Sequence, residues 1–294
     1  MGLSLRSRVF RRLAPVFVSS HDATIEQRRK EMERASFGPK ARGFDYMPMS
    51  VAGVPALRAS AKSSTTRHIA YFHGGGYTLG SADSHRNIAA RLARYAGAGV
   101  TLIDYRLAPE HPFPAAFDDA VAATKAIVEE FGAGNVAIAG DSAGGGVTLA
   151  TLCALAGAGE PMPACAFVMS PWTDLTASGE TMTTKADIDP MIPVPLLKHM
   201  ADLYAGDTSK DDPRVSPHFA DLAGLPPVLI QVGTDEVLLD DALRFADAAK
   251  AAGVDVTIDV WHDLWHVFQG FVGYMPEANR AMQQGGAFIA AHTR

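Results

Sequence analysis

Cysteine is scarce in this chain. Only Cys153 and Cys165 occur among 294 residues, each inside an apolar run (TLCALA and PACAFV). That placement reads as two buried thiols and excludes a disulfide framework. No set of Cys and His residues has zinc spacing, so no metal is expected. The chain also lacks any run of about 18 uncharged apolar residues, the length of a membrane-spanning helix, so stable membrane insertion is not expected. Basic excess is missing too: the formal charge is −6 and the isoelectric point about 5.9. Such a balance offers no footprint for nucleic acid. There are no internal repeats and no low-complexity segments.

Arg6, Arg8, Arg11 and Arg12 break the N-terminal apolar pattern before it reaches the length of a signal-peptide core. A soluble cytoplasmic protein is the expectation. Leu5, Val9, Leu13 and Val16–Phe17 nevertheless fall near one face of a helix, giving an amphipathic segment that could touch a membrane or a pocket.

What the chain does have is a globular composition, 48% hydrophobic and 20% charged, with mean hydropathy +0.05. Residues 1–45 read as charged helices, and MPMSVAGVPALRAS as two short strands around Ala52-Gly53. Thereafter the apolar runs RHIAYF, GVTLID, NVAIAG, CAFVMS, PVLIQVG and VDVTIDVW alternate with longer helical patterns. Strands alternating with helices predict an α/β fold, a mostly parallel twisted sheet covered on both faces. In such sheets ligands bind beyond the C-terminal strand ends. One connection is too long for a simple crossover: more than fifty residues separate CAFVMS from PVLIQVG. Its proline-punctuated segment DIDPMIPVPLLKHMADLYAG suggests a lid. The expected organisation is N-terminal cap helices at 1–45 and a catalytic domain at 46–294 that carries a cap insertion at about 180–212.

The segment FHGGGYTLGS follows the run HIAYF, where a bare backbone could serve either a phosphate or a developing oxyanion. A second segment decides. After NVAIA comes Gly140-Asp141-Ser142-Ala143-Gly144, a G-x-S-x-G between an apolar run and an Ala-rich helical pattern. A serine on so sharp a turn is exposed at a helix N-terminus, and glycine at both flanks removes collisions with nearby backbone. Ser142 is therefore the predicted nucleophile. It needs a base and a carboxylate to orient that base. The runs PVLIQVG and VDVTIDVW lead into Thr234-Asp235 and into HDLWH, so the predicted partners are Asp235 and His266. Glu236 is expected to point away, Asp240 and Asp241 to stabilise the next helix, and His262 to continue the strand. A dinucleotide site would rest its pyrophosphate on a helix N-terminus directly after the glycines. Here the helical pattern begins several residues later, and that reading leaves the serine, acid and histidine unexplained.

HGGGY at 73–77, DYRLAPEHPFPAA at 104–116, GDSAGGG at 140–146 and DEVLLDD at 235–241 resemble the hormone-sensitive-lipase-like family of α/β-hydrolases, in particular its small bacterial esterases. The resemblance runs from about Tyr71 to the C-terminus. It implies an oxyanion hole formed by Gly74, Gly75 and the amide of Ala143, with His73 and the DYRLAPE segment bracing that loop. Val267 departs from the pattern, since glycine often follows the family's catalytic histidine. The expected activity is hydrolysis of short- to medium-chain carboxylic esters through an acyl-serine, without a cofactor. A lactone, carbamate or formyl-amide hydrolase using the same triad is the alternative. A ligand-binding protein, like the plant gibberellin receptors that resemble this family, is disfavoured by the presence of His266. Tyr77, Met191, Ile192, Leu196 and Leu197 are the expected substrate-pocket residues. VDVTIDVW reads as an edge strand whose pairing across a two-fold axis would give a homodimer.

Overall fold

The structure, a computed structural model, describes residues 3–14, 23–34, 41–61 and 65–294. Val16–Phe17 of the amphipathic pattern lie outside the described residues. Eight strands form one sheet: β1 (Phe44–Val51), β2 (Val54–Ala61), β3 (His68–Phe72), β4 (Gly99–Ile103), β5 (Val136–Asp141), β6 (Cys165–Met169), β7 (Val228–Gly233) and β8 (Val256–Trp261). Their spatial order is β1-β2-β4-β3-β5-β6-β7-β8. The β1–β2 hairpin turns at Ala52-Gly53, where both residues have positive φ (51° and 85°), as a two-residue hairpin loop requires. β2 runs antiparallel to both neighbours, and β3 through β8 pair in parallel.

The inner strands β3 to β7 are buried along their whole length and mostly apolar, because both sheet faces are covered. Their side chains divide with period two. Phe72, Val136 and Ile138 join one buried cluster, while Ile69, Tyr71, Ala137 and Ala139 join the other. Helix α5 (Ala143–Ala158) supplies Val147, Leu149 and Leu152 to the first cluster. Helices α3 (Ala82–Ala96) and α9 (Pro276–His292) supply Ile88, Leu92, Met282 and Ile289 to the second. The remaining helices are α1 (Leu5–Leu13), α2 (Ile25–Arg34), α4 (Ala115–Phe131), α6 (Thr181–Thr184), α7 (Val194–Ala205) and α8 (Leu239–Ala251). Both α6 and α7 lie in the long β6–β7 connection.

From β3 the chain steps to β4 on one side, then crosses back to β5 on the other. The crevice at the ends of β3 and β5 is thus a topological switch point, where open α/β sheets hold ligands. The glycine-rich loop leaves β3 there, and Ser142 leaves β5.

Candidate active site

Ser142 occupies the turn between β5 and α5 with φ 54° and ψ −122°. A non-glycine residue is held there only when its surroundings dictate it. They do so through close backbone approach. A Cβ at Gly140 would lie 2.8 Å from the Phe72 carbonyl oxygen, and one at Gly144 would collide with that same carbonyl. Backbone bonds then fix the turn: the Ser142 amide donates to the Met169 carbonyl (2.9 Å), and its carbonyl accepts from Gly146 (3.0 Å) and Trp172 (3.0 Å).

The Ser142 hydroxyl lies 2.9 Å from His266 Nε2, and His266 Nδ1 lies 2.8 Å from Glu236 Oε2. A carboxylate can only accept, so Nδ1 carries the proton and Nε2 is left as the acceptor facing the serine. The carboxylate on the histidine is therefore Glu236 and not Asp235, which corrects the expectation from sequence. Asp235 instead forms an ion pair with Arg11 of α1 (2.6 Å). The reason lies in how the loops after β7 and β8 are joined. The Thr234 amide donates to the Trp261 carbonyl, the Asp235 amide to the Leu264 carbonyl, and the Asp263 amide to Thr234 Oγ1. With the backbone so held, the Asp235 side chain faces α1 and that of its neighbour faces inward.

Glu236 is fully buried. Its second oxygen accepts from the Gly233 amide (2.6 Å) and from Ser170 Oγ (2.9 Å). Ser170 Oγ also accepts from the Val267 amide (3.1 Å), so one hydroxyl links the acid to the residue after the histidine. No motif singled out Ser170; its position at the end of the CAFVMS run was the available signal. Burial opposes charge on His266, but the hydrogen bond and negative charge of Glu236 outweigh it and raise the histidine's pKa above its ordinary value. His262 lies beyond β8 on the surface, away from this assembly.

The glycine loop curls over the serine. Gly75 has φ 117°, and a Cβ there would strike the Leu79 carbonyl, so only glycine serves. The amides of Gly74, Gly75 and Ala143 donate to no acceptor among the described residues. The loop is held from behind. Tyr105 Oη donates to the His73 carbonyl (2.6 Å), the two rings stack at 4.3 Å, and His73 Nδ1 donates to the Gly74 carbonyl (2.8 Å). Burial pushes the His73 pKa down to about 3, so its ring stays neutral. Asp141, beside Ser142, accepts from Tyr71 Oη (2.7 Å) and lies 3.5 Å from His85 Nε2. Burial alone would raise the Asp141 pKa, but the His85 charge outweighs it and holds the group ionised.

A cavity of about 160 Å³ opens onto Ser142 and His266. Met191, Ile192, Leu196 and Leu197 line it, together with Met200, Val267 and Gly75. Tyr77 does not. It is buried, stacked on Tyr204 at 3.7 Å, and supports the wall from behind, which corrects its assignment to the pocket. Sequence reading missed Arg28 and Met32, which enter the lining from α2. They do so because Arg29 anchors α2 to the loop, donating to the Thr78 carbonyl (2.7 Å) and the Ala108 carbonyl (2.9 Å). Asp241 also differs from expectation: it braces the segment after β6, accepting from the amides of Thr173 and Asp174 (2.9 and 2.8 Å).

Val267 has φ 48° and ψ 40°, the left-handed region that a β-branched residue rarely enters. This accounts for glycine being common after such a histidine. Relief of roughly 1–2 kcal/mol of strain should offset the extra backbone entropy of glycine, roughly 0.5–1 kcal/mol. Val267→Gly is therefore expected to unfold in urea with unchanged or slightly increased stability. A loss above about 2 kcal/mol, in the range of a deleted core side chain, would show that the valine acts chiefly in packing.

Residues 69–270 match a family described as the alpha/beta hydrolase fold. The chain is 44% identical over 228 residues to an acetyl-hydrolase of Streptomyces hygroscopicus, a match covering 77% of this chain and 76% of that protein. It is similar to the solved structure of an esterase from the bacterial hormone-sensitive lipase family (38% identity, TM-score 0.95, all of both chains). It is also similar to EstE5 soaked with p-nitrophenyl butyrate (38% identity, TM-score 0.94, 98% of this chain and 99% of that one). This chain belongs to the α/β-hydrolase family, in its hormone-sensitive-lipase-like group.

Proposed function

We propose that the protein is a serine carboxylesterase that hydrolyses short- to medium-chain carboxylic esters, with Ser142 as nucleophile, His266 as base and Glu236 as the acid that orients it. The relay from Ser142 Oγ to His266 Nε2, and from His266 Nδ1 to Glu236, carries this reading. Ser142 Oγ attacks the ester carbonyl carbon as its proton passes to His266 Nε2. Glu236 stabilises the imidazolium without taking its proton. The carbonyl oxygen becomes an anion facing the amides of Gly74, Gly75 and Ala143. Loss of one such donor typically costs about 3–4 kcal/mol of transition-state stabilisation. Collapse of the tetrahedral species expels the alcohol, which takes the proton from His266. Water then repeats the sequence on the acyl-serine and releases the acid. No step calls on a metal or organic cofactor.

The acyl-length preference rests on the cap, which in this reading comprises residues 1–45 and the 180–212 insertion. Its apolar side chains bound the cavity opposite the serine. Each buried methylene contributes about 0.8 kcal/mol until the acyl chain meets the wall. In a nitrophenyl-ester series kcat/KM should therefore peak at short or medium length, with an initial burst, and fall steeply for long chains. A preference for long-chain emulsified lipid would overturn the closed-pocket reading. The substrate is thus a small ester and not a polymer. The cytoplasm is the proposed site of action, in keeping with two free cysteines. No helix among the described residues is long and apolar enough to cross a membrane. Pairing of β8 with a second copy is the proposed dimer contact, because among the described residues β8 pairs only with β7, and β8 carries exposed Val260.

A further inference from the structure

Helix α1 is amphipathic in the wrong sense for a helix lying on a protein. Its inward face carries Ser7 and Ala14, both fully buried, with Phe10 packed on Phe271 (ring centroids 5.3 Å apart). Its outward face carries Leu5, Val9 and Leu13, which are 78%, 49% and 45% exposed. The spacing of four residues sets these three aliphatic side chains in one stripe along the helix. Arg6, Arg8 and Arg12 flank the stripe and are exposed, and the helix contains no acidic residue. Arg11 alone is turned inward, donating to the Asp263 carbonyl (2.7 Å) and pairing with Asp235. Tyr274, 41% exposed and 5.6 Å from the Phe10 ring, borders the same helix.

We propose that the outer face of α1 is a docking surface for an anionic lipid bilayer, with the helix lying in the plane of the headgroups. An apolar stripe between arginines is the arrangement by which a surface helix sinks its aliphatic side chains while its cations meet lipid phosphates. Charge complementarity selects the lipid. The chain as a whole carries −6 and is repelled by an anionic bilayer, so the local arginine cluster sets the orientation of approach. A second copy of this chain is a poorer occupant. A helix of nine residues is about 14 Å long and about 10 Å wide. Pairing two such faces would bury on the order of a few hundred Å², well below the roughly 1,200 Å² of a stable interface. The contact is peripheral, and it leaves the cavity free to receive an ester that partitions in the same membrane.

The test is co-sedimentation of the full chain with phosphatidylcholine vesicles, with and without phosphatidylglycerol. Wild type should partition onto the anionic vesicles at least tenfold more strongly, and this excess should fall at high salt. Each arginine near the surface is worth roughly a fivefold change, so the triple variant Arg6→Gln/Arg8→Gln/Arg12→Gln should lose about a hundredfold. Leu5→Ser/Val9→Ser/Leu13→Ser should also release the protein. Turnover of a water-soluble acetyl ester should stay at the wild-type level in the arginine variant, which shows that it is folded. Equal partitioning of wild type onto neutral and anionic vesicles would overturn the proposal, as would arginine or serine variants that bind like wild type. Sedimentation velocity in which the serine variant converts a dimer to a monomer would assign the stripe to a second copy instead.

Discussion

Glu236→Gln is expected to lower kcat by about four orders of magnitude, whereas Asp235→Asn should leave it within about fivefold. The first figure follows from what the carboxylate does. It fixes the Nδ1–H tautomer of His266 and stabilises the cation formed when the ring takes the Ser142 proton, and a neutral amide does neither reliably. The second follows from the setting of Asp235, whose partner Arg11 is partly exposed. Ion pairs of that kind contribute roughly 0–1 kcal/mol. A pH profile gives an independent readout. Glu236 raises the His266 pKa against the opposing effect of burial, and activity requires the neutral ring. In the wild type, kcat/KM should therefore fall with decreasing pH through a value above the ordinary histidine range. In Glu236→Gln the hydrogen bond and charge of Glu236 are lost and burial is opposed only by the charges of Asp189 and Asp141, so the acid limb should move to lower pH. If Asp235→Asn shows the larger loss and the shifted limb, the roles of the two adjacent residues must be exchanged.

The confusion between these neighbours shows where sequence reading stops. Ser142 was legible because its chemistry demands a local pattern: a strand, a glycine, the serine, a second glycine and a helix, all within a few residues. His266 was legible because it follows a strand by a short loop. The acid is different. Asp235 and Glu236 sit in one turn, and which carboxylate faces inward depends on how the Thr234–Asp235 amides join the β8 loop. Those bonds connect segments about thirty residues apart, and no local pattern encodes them. Arg28 and Met32 were missed for the same reason, since the docking of α2 rests on Arg29 meeting carbonyls at positions 78 and 108. Tyr77 was misplaced because an aromatic beside the glycine loop can face either the cavity or Tyr204, and stacking on Tyr204 decided it. The strands themselves were readable from apolar runs, whereas Met191, Ile192, Leu196 and Leu197, which line the cavity, stood out in the sequence only as bulky apolar residues in the long β6–β7 connection.

Ser142→Gly is expected to be both inactive and more stable than Ser142→Ala. Both variants remove the hydroxyl, and turnover should fall by about a millionfold in each. A residual rate above uncatalysed hydrolysis should persist through the loop amides and substrate binding. The stability difference isolates the backbone. At most positions glycine is less stable than alanine by roughly 0.5–1 kcal/mol, because it loses more freedom on folding. At φ 54° and ψ −122° the order should invert. Alanine keeps the strain of the turn, of order 1–3 kcal/mol, while glycine releases it, leaving a net advantage of about 1 kcal/mol in urea unfolding. Loss of the serine–histidine hydrogen bond is common to both variants and cancels in the comparison. If alanine proves the more stable, the turn is not strained at Ser142, and the close approach of Gly140 and Gly144 to the backbone around Phe72 serves packing alone. If the order inverts as expected, part of the fold's stability is spent on holding one hydroxyl above the end of β5, where His266 can take its proton.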